Sequence, residues 1–447
     1  MAIACGPLGD GARFWADPCS VFGLPAVDHA WRSDLTEFVA APAARLTDVP
    51  PSGIRAIFDR ARELEDQGVH IYHLEIGRPD FDTPALIKRA TVEALDAGAV
   101  HYASNWGIPE LRRAIAAKLS RDSGLTYSPA DEIVVTIGAN EAVWIAMMAY
   151  VDPGDEVIIP TPAWPHYAQC VRLAGGVPVV LQLEERDDWR IDPEALGHMI
   201  TPRTRMVILC TPQNPTGAVL DRPRLEAISA KLRGTNVIAL SDEIYEHLIY
   251  DETSHVSPAS ISGMRDRTLL VSGFAKAYAM DGWRLGYLAG PRELVKWALR
   301  VHQYTTVCAP TFEQYGAAAA LDGPQDDRER MVAEFARRRR AILDILNAQD
   351  IVTYSKAEGA FYIWLNYPAG APTASELAIG LLEEQHVAVV PGTAFDESQE
   401  HGLRIAYAAP LEDVTEGIRR LIDYVRLRAG DITAPDIRPN LVDSSTG

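Results

Sequence analysis

Short apolar runs recur along the middle of the chain, and they do not alternate with polar residues as half-buried strands do. They are Glu132–Thr136, Glu156–Pro160, Pro178–Leu183, Met206–Cys210, Val237–Leu240 and Leu269–Ser272. Uninterrupted apolar runs this short predict strands covered on both faces. Between them the apolar positions switch to helical spacing, over Glu141–Tyr150, Trp164–Ala174 and Arg224–Lys231. Upstream, Ile54, Ile57, Phe58 and Ala61 share one helical face, which predicts a helix over Pro51–Gly68. Buried strands separated by helices imply an α/β fold with a mainly parallel sheet flanked by helices. Ligands of such sheets bind beyond the carboxyl ends of the strands, so the residues that follow each run carry the chemistry to be read.

The ends of the chain differ from its middle. Residues 1–50 have weak periodicity and several Pro and Gly, and read as an N-terminal extension or arm. Residues 51–80 are expected to join residues 326–430 in a smaller α+β domain, leaving 81–325 as the large ligand-binding domain. The C-terminal part opens on a long charged helix, passes through Gly359-Ala-Phe-Tyr-Ile-Trp-Leu365 and closes on another helix. The polar tail 431–447 is expected to fray.

Composition narrows the class. The chain has 447 residues, enough for a large core, and its 42 basic against 61 acidic residues leave a net charge of −19. That balance repels nucleic acid and anionic membrane surfaces. The run Arg337–Arg340 reads as a solvated helix face. Cys5, Cys19, Cys170, Cys210 and Cys308 form no CxxC pair, which suits a reducing compartment, expected to be the cytoplasm, and argues against a disulfide frame. The eleven histidines form no metal-ligand motif, and His70 and His73 read as structural, so no metal site is expected. Met1–Ser20 lacks the pattern of a signal peptide, and the longest apolar stretch, Ala142–Val151, is too short to span a bilayer.

Lys276 stands in the apolar, glycine-flanked stretch Ser272-Gly-Phe-Ala-Lys-Ala-Tyr-Ala-Met-Asp-Gly-Trp-Arg284. A lysine in a dry pocket loses its proton readily and forms a Schiff base with a carbonyl, and the nearby Arg284 offers a planar cation to a phosphate. Together they describe a site for pyridoxal 5'-phosphate (PLP); separately they read as a surface lysine and a core-edge arginine. Gly138-Ala139-Asn140 follows a strand and opens a helix, where free backbone amides cradle a phosphate. Asp242, at a strand end, reads either as a helix N-cap or as the partner of a protonated ring nitrogen. Tyr245 lies three residues on, within reach of a phenolate oxygen. Trp164 suits either the core or the face of a cofactor ring. Asn214 sits in a Pro/Gly turn beyond a strand. Arg404, inside the apolar run Gly402–Tyr407, calls for an anion such as a substrate carboxylate.

In this order the motifs resemble the class I/II aminotransferase family, the fold type I PLP-dependent enzymes related to aspartate aminotransferase. The resemblance runs from about Gly77 to Ala408 and includes Gly77-Arg-Pro-Asp-Phe-Asp-Thr-Pro84, Tyr102 with Gly107-Ile-Pro-Glu-Leu-Arg112, Asn214-Pro-Thr-Gly217, Asp242 with Tyr245, Lys276 with Gly282-Trp-Arg284, and Arg404. It implies an aminotransferase acting between an L-amino acid and a 2-oxo acid through a Lys276 aldimine and pyridoxamine phosphate. It implies further that Lys276 shuttles the proton, that Asp242 and Tyr245 hold the ring nitrogen and phenolate oxygen, and that Trp164 stacks on the ring. Arg284, Gly138, Ala139, Asn140 and Ser272 would bind the phosphate, with Tyr102 reaching the phosphate of a neighbouring subunit in a homodimer. Arg404, Asn214 and the Gly77 backbone would grip the substrate carboxylate.

The chain departs from the family pattern at Ala275, where many relatives have Ser, and at Asp281, where Thr is frequent. Trp106, in the Ser104–Trp106 loop expected to border the partner's substrate pocket, is expected either to supply an aromatic wall or simply to narrow the site. No second cation for an acidic side chain is evident. The long arm, with Trp15, Phe22 and Trp31, is expected to pack on the dimer or cover the pocket. These departures keep open a lyase, a decarboxylating deaminase or a cyclase on the same scaffold. A non-catalytic regulator fits poorly with Lys276 and the charge.

Overall fold

The computed structural model describes residues 41–430. Most of the expected arm, with Trp15, Phe22 and Trp31, and the whole expected tail lie outside the described residues. The chain divides after Thr47 into two units. Of the first, the described part holds a single 3-10 turn, Ala44–Leu46.

The second unit begins with α1 (Gly53–Asp66), β1 (Tyr72–His73), α2 (Ala85–Asp96) and α3 (Pro109–Ser123). Strands and helices then alternate through β2 (Ile133–Thr136), α4 (Gly138–Tyr150), β3 (Glu156–Thr161), α5 (His166–Ala174), β4 (Val177–Gln182), α6 (Pro193–Met199), β5 (Thr204–Cys210), α7 (Arg222–Leu232) and β6 (Ile238–Asp242). Next come β7 (Thr268–Gly273), β8 (Gly286–Ala289), α8 (Arg292–Thr305) and α9 (Thr311–Asp322). The remainder comprises α10 (Asp326–Asn347), β9 (Thr353–Tyr354), β10 (Tyr362–Asn366), α11 (Ala374–Gln385), β11 (Val387–Ala388), β12 (Val390–Pro391), β13 (Gly402–Ala406) and α12 (Leu411–Arg428).

Seven strands build the central sheet in the order β2-β8-β7-β6-β5-β3-β4. The pairings from β7 through β6, β5 and β3 to β4 are parallel, while β8 runs antiparallel to both its neighbours. Each apolar run singled out in the sequence is a strand of this sheet. Missing from that set was β8, whose Gly-Tyr-Leu-Ala lacks the β-branched residues that mark the others. The runs do not alternate because both faces of the sheet are covered. Met206 and Ile208 of β5 pack on the side of α4 and α5, with Ala142 and Ala146. Val207 and Leu209, pointing the other way, meet Leu225, Ile228 and Leu232 of α7.

A second sheet, β12-β13-β10-β9, is antiparallel. β1 pairs in parallel with β11, which fastens the strand before the Gly77 motif to the C-terminal part. The basic run in α10 is not the solvated face expected of it. Arg338 is buried and bonds both carboxylate oxygens of Asp80, at 2.7 and 2.9 Å. Arg339 is also buried, bonding Asp251 and the Ala357 carbonyl, while Arg337 pairs at the surface with Glu334. Successive helical residues turn by about 100°, so four consecutive arginines cannot share one face.

Candidate active site

The carboxyl ends of the parallel strands converge with the start of α4 and with β13. β2 turns into α4 at Gly138, whose φ is +71°. A Cβ there would lie 2.8 Å from Arg284 Nη2, so glycine makes room for the guanidinium beside the free first-turn amides of the helix. Arg284 itself is left-handed, with φ of +54°, a conformation that costs a non-glycine residue about 1–2 kcal/mol. Backbone strain of this kind collects where a side chain must be aimed.

Asp242 ends β6 and is buried. Its Oδ2 accepts the Tyr167 hydroxyl at 2.6 Å and its Oδ1 the Ile244 N–H at 3.2 Å. Burial pushes the carboxyl up to about 6, against the pull of those two donors. Tyr245, three residues on, is buried and shares a hydrogen bond of 2.9 Å with the Tyr362 hydroxyl. Trp164 meets Tyr167 edge to face, with ring centres 5.4 Å apart.

Lys276 follows β7, and its Nζ donates to the Gly77 carbonyl at 2.6 Å. Burial lowers the amine to about 8; Asp281 opposes that shift, and Arg404 and Arg284 add to it. Arg404 lies on β13, opposite Trp364 of β10, and is 2% exposed. Its Nη2 donates to the Glu75 carbonyl and its Nη1 to Asn214 Oδ1 at 3.4 Å. The guanidinium lies 4.6 Å from the centre of the Tyr362 ring and 5.0 Å from that of Phe395. Among the described residues its buried Nε has no partner and no carboxylate bonds the guanidinium, an environment that suits an anion.

These groups border one cavity of about 220 Å³. Of the residues singled out in the sequence, Gly77, Gly138, Ala139, Asn140, Trp164, Asn214, Asp242, Tyr245, Lys276, Arg284 and Arg404 line it. Three do not. Ser272 is buried and donates to Glu246 Oε1 at 2.8 Å, so its hydroxyl is committed away from the cavity. Tyr102 is 87% exposed, and Trp106 packs on the core beside α4. Conversely, Ile54, Tyr167, Cys210, Ile244 and Tyr362 line the cavity without having been singled out. Tyr167 had a signal, its helical distance of three from Trp164. Tyr362 had a weaker one, an aromatic in the strand run before Leu365.

The donor set fits PLP on its own chemistry. It combines free helix amides and a guanidinium for a phosphate, an amine of lowered proton affinity, a buried carboxylate, and an arginine whose Nε has no partner among the described residues.

Comparison with known proteins points the same way. The chain matches the family described as aminotransferase class I and II over residues 69–421. It is 41% identical over 391 residues to an aspartate aminotransferase of Pyrococcus abyssi, covering 86% of this chain and 98% of that one. An aromatic-amino-acid aminotransferase 2 of Thermococcus litoralis is 40% identical over 382 residues, covering 84% and 96%. Among solved structures, the aspartate aminotransferase from Rhizobium meliloti superposes with a TM-score of 0.82 at 39% identity, covering 87% of this chain and 99% of that chain.

Proposed function

The chain belongs to the class I and II aminotransferases and is a PLP-dependent enzyme of fold type I, and we propose how its own residues divide the work of moving an amino group between an L-amino acid and a 2-oxo acid. Bound PLP supplies an aldehyde carbon that condenses with amines and an aromatic ring that withdraws electrons from the substrate Cα.

Lys276 would hold the cofactor through Nζ and, once released, would serve as the base that moves the proton at the substrate Cα. An amine lowered to about 8 is partly neutral near physiological pH, as a nucleophile and base must be. Asp242, oriented by the Tyr167 hydroxyl and the Ile244 N–H, keeps a proton on the ring nitrogen. Tyr245 would donate to the phenolate oxygen of the bound cofactor, and Trp164 would offer its ring to the cofactor ring. Arg284 and the amides of Gly138, Ala139 and Asn140 bind the phosphate. Arg404, with Asn214 and the Gly77 backbone beside it, would fix the substrate carboxylate and thereby which Cα bond faces Lys276.

The carrying observation is that Lys276, Asp242, Arg284 and Arg404 line a single cavity, each on a different segment of the chain. The names of the relatives span an acidic and an aromatic donor. For this chain we favour a neutral, apolar or aromatic side chain. Ile54, Trp164 and Tyr362 wall the cavity, and its three lining cations, Lys276, Arg284 and Arg404, all have other tasks.

A homodimer completes the reading. Tyr102 and Tyr304 are 87% and 84% exposed, with Val100 and Val307 also exposed, and such aromatics at the surface suit a subunit contact. The second copy would cover them and receive Tyr102 at its own phosphate site. The free thiols Cys170, Cys210 and Cys308 suit a reducing, cytoplasmic setting.

The test is a single turnover of PLP-loaded protein with a panel of amino acids and no oxo acid, read by mass spectrometry. Stoichiometric pyridoxamine phosphate with a 2-oxo acid, greatest for neutral or aromatic donors, is the expected result. Retained PLP with repeated release of ammonia, carbon dioxide or a side-chain fragment would overturn it.

A further inference from the structure

The turn that opens α4 is held from behind by a residue that does not line the cavity. Glu141 reaches back along its own helix, where Oε2 accepts the Ile137 N–H at 2.6 Å. Its Oε1 accepts from His302 Nδ1 at 2.9 Å and from the Thr306 hydroxyl at 2.7 Å, both at the C-terminal end of α8. Glu141 is buried and His302 fully so, and His302 Nε2 has no partner among the described residues. The ring therefore presents its Nδ1 hydrogen to the carboxylate. Burial alone would push the Glu141 carboxyl up; the bonds from His302, Ile137 and Thr306 outweigh it and hold the carboxyl below the ordinary glutamate value.

An anionic side chain at a helix start ordinarily competes with an anionic ligand for the same amides. Here three other donors occupy the carboxylate. The first-turn amides of Gly138, Ala139 and Asn140 have no partner within the helix and remain available.

The same end of α8 is bonded outward as well. Val307 follows Thr306 with φ of +68°, and its carbonyl accepts Asn105 Nδ2 at 2.8 Å. The next residue of that loop, Trp106, accepts the Val135 N–H of β2 at 3.1 Å. The segment 302–307 thus holds both the start of α4 and the loop that follows Tyr102.

We infer that Glu141 is a positioning residue for the cofactor phosphate: it locks the entry turn of α4 to the end of α8, so that the phosphate amides and the Tyr102 loop keep one geometry. The inference rests on the reading of Gly138–Asn140 as the phosphate cradle. It assigns the side of the cradle facing away from the cavity to Glu141, His302 and Thr306.

The experiment strips the full chain of cofactor and titrates it with PLP and, separately, with pyridoxal, which lacks the phosphate. The unsubstituted protein prefers PLP. Glu141→Ala should narrow that preference tenfold or more while leaving pyridoxal affinity unchanged, with smaller effects in the same direction for Glu141→Gln and Thr306→Val. Amide exchange at residues 137–140 of the cofactor-free protein should speed up in the same order. A structural role alone would weaken both ligands equally, and that result overturns the inference. So does an unchanged preference in Glu141→Gln and Thr306→Val, which preserve side-chain size and decide the matter if Glu141→Ala does not fold. An unsubstituted protein without a phosphate preference would fail differently, removing the cradle itself and this inference with it.

Discussion

The Tyr167 hydroxyl donates to Asp242 Oδ2 at 2.6 Å, so the carboxylate at the floor of the cavity is aimed by a residue from another strand-to-helix turn. Both groups are buried, and Ile244 N–H supplies the second bond. Deleting one hydroxyl from this pair removes a hydrogen bond to a charged group without emptying the space the ring fills. Tyr167→Phe should therefore lower kcat/KM tenfold or more, about 1.5 kcal/mol, with the thermal midpoint little changed. The acid limb of the pH profile should move upward, because loss of a donor raises the Asp242 carboxyl above its value of about 6. Steady-state rates across pH check both; an unmoved limb would detach Asp242 from the chemistry.

Lys276 makes a prediction about stability as well as activity. Its amine is lowered to about 8 from 10.5 by burial, so between those values the unfolded chain binds more protons than the folded one. Stability of the cofactor-free protein should rise with pH across that window through this group. In Lys276→Met that rise should disappear, and the substituted protein should be at least as stable at pH 7, since a half-buried cation of lowered proton affinity is replaced by an apolar chain of similar length. Denaturant midpoints at pH 7.5 and 10 measure it. Turnover should be lost in the same variant.

Substitution of Arg404 tests substrate binding apart from cofactor binding. Among the described residues its Nε has no partner, and its neighbours include two aromatic rings, an amide and a carbonyl. Arg404→Leu should cost carboxylate substrates about 2–5 kcal/mol of binding and leave PLP affinity within a factor of a few. Equal losses for both ligands would make Arg404 a structural residue. Titration of the loaded protein with a non-reactive dicarboxylate or monocarboxylate, followed by cofactor absorbance, distinguishes the cases.

What could be read in the sequence follows from where the residues fall. Asp242, Lys276, Asn214 and Gly138 each fall within four residues of the end of an apolar run, so the ends of these strands point to one place. Tyr362 and Arg404 enter from an antiparallel sheet remote in sequence, and only the register of β10 on β13 sets them side by side. Ser272 shows the limit of strand-end reasoning. Its position at the end of β7 was legible, but the alternation that sends its hydroxyl to Glu246 depends on a neighbour 26 residues away. Glu141 was quoted as part of a helix start; its bonds to α8 have no counterpart in local pattern.

The exposure of Tyr102 leads to a test that only a shared site can pass. At 87% exposure the residue contributes little to its own chain, so Tyr102→Ala should leave the fold intact. If Tyr102 serves the neighbouring subunit, Tyr102→Ala homodimers bind PLP weakly and Lys276→Ala homodimers are inactive. A hybrid of the two chains then carries one site with an intact Lys276 and a Tyr102 donated from the other chain. Refolding or co-expressing differently tagged variants and isolating the hybrid should recover about half the activity of the unsubstituted dimer at limiting PLP, since one of two sites is complete. Were Tyr102 to act within its own chain, the hybrid would contain no complete site and its activity would fall to about half that of the Tyr102→Ala parent, which has two such weakened sites. A protein that sediments as a monomer at all concentrations would dispose of the shared site altogether.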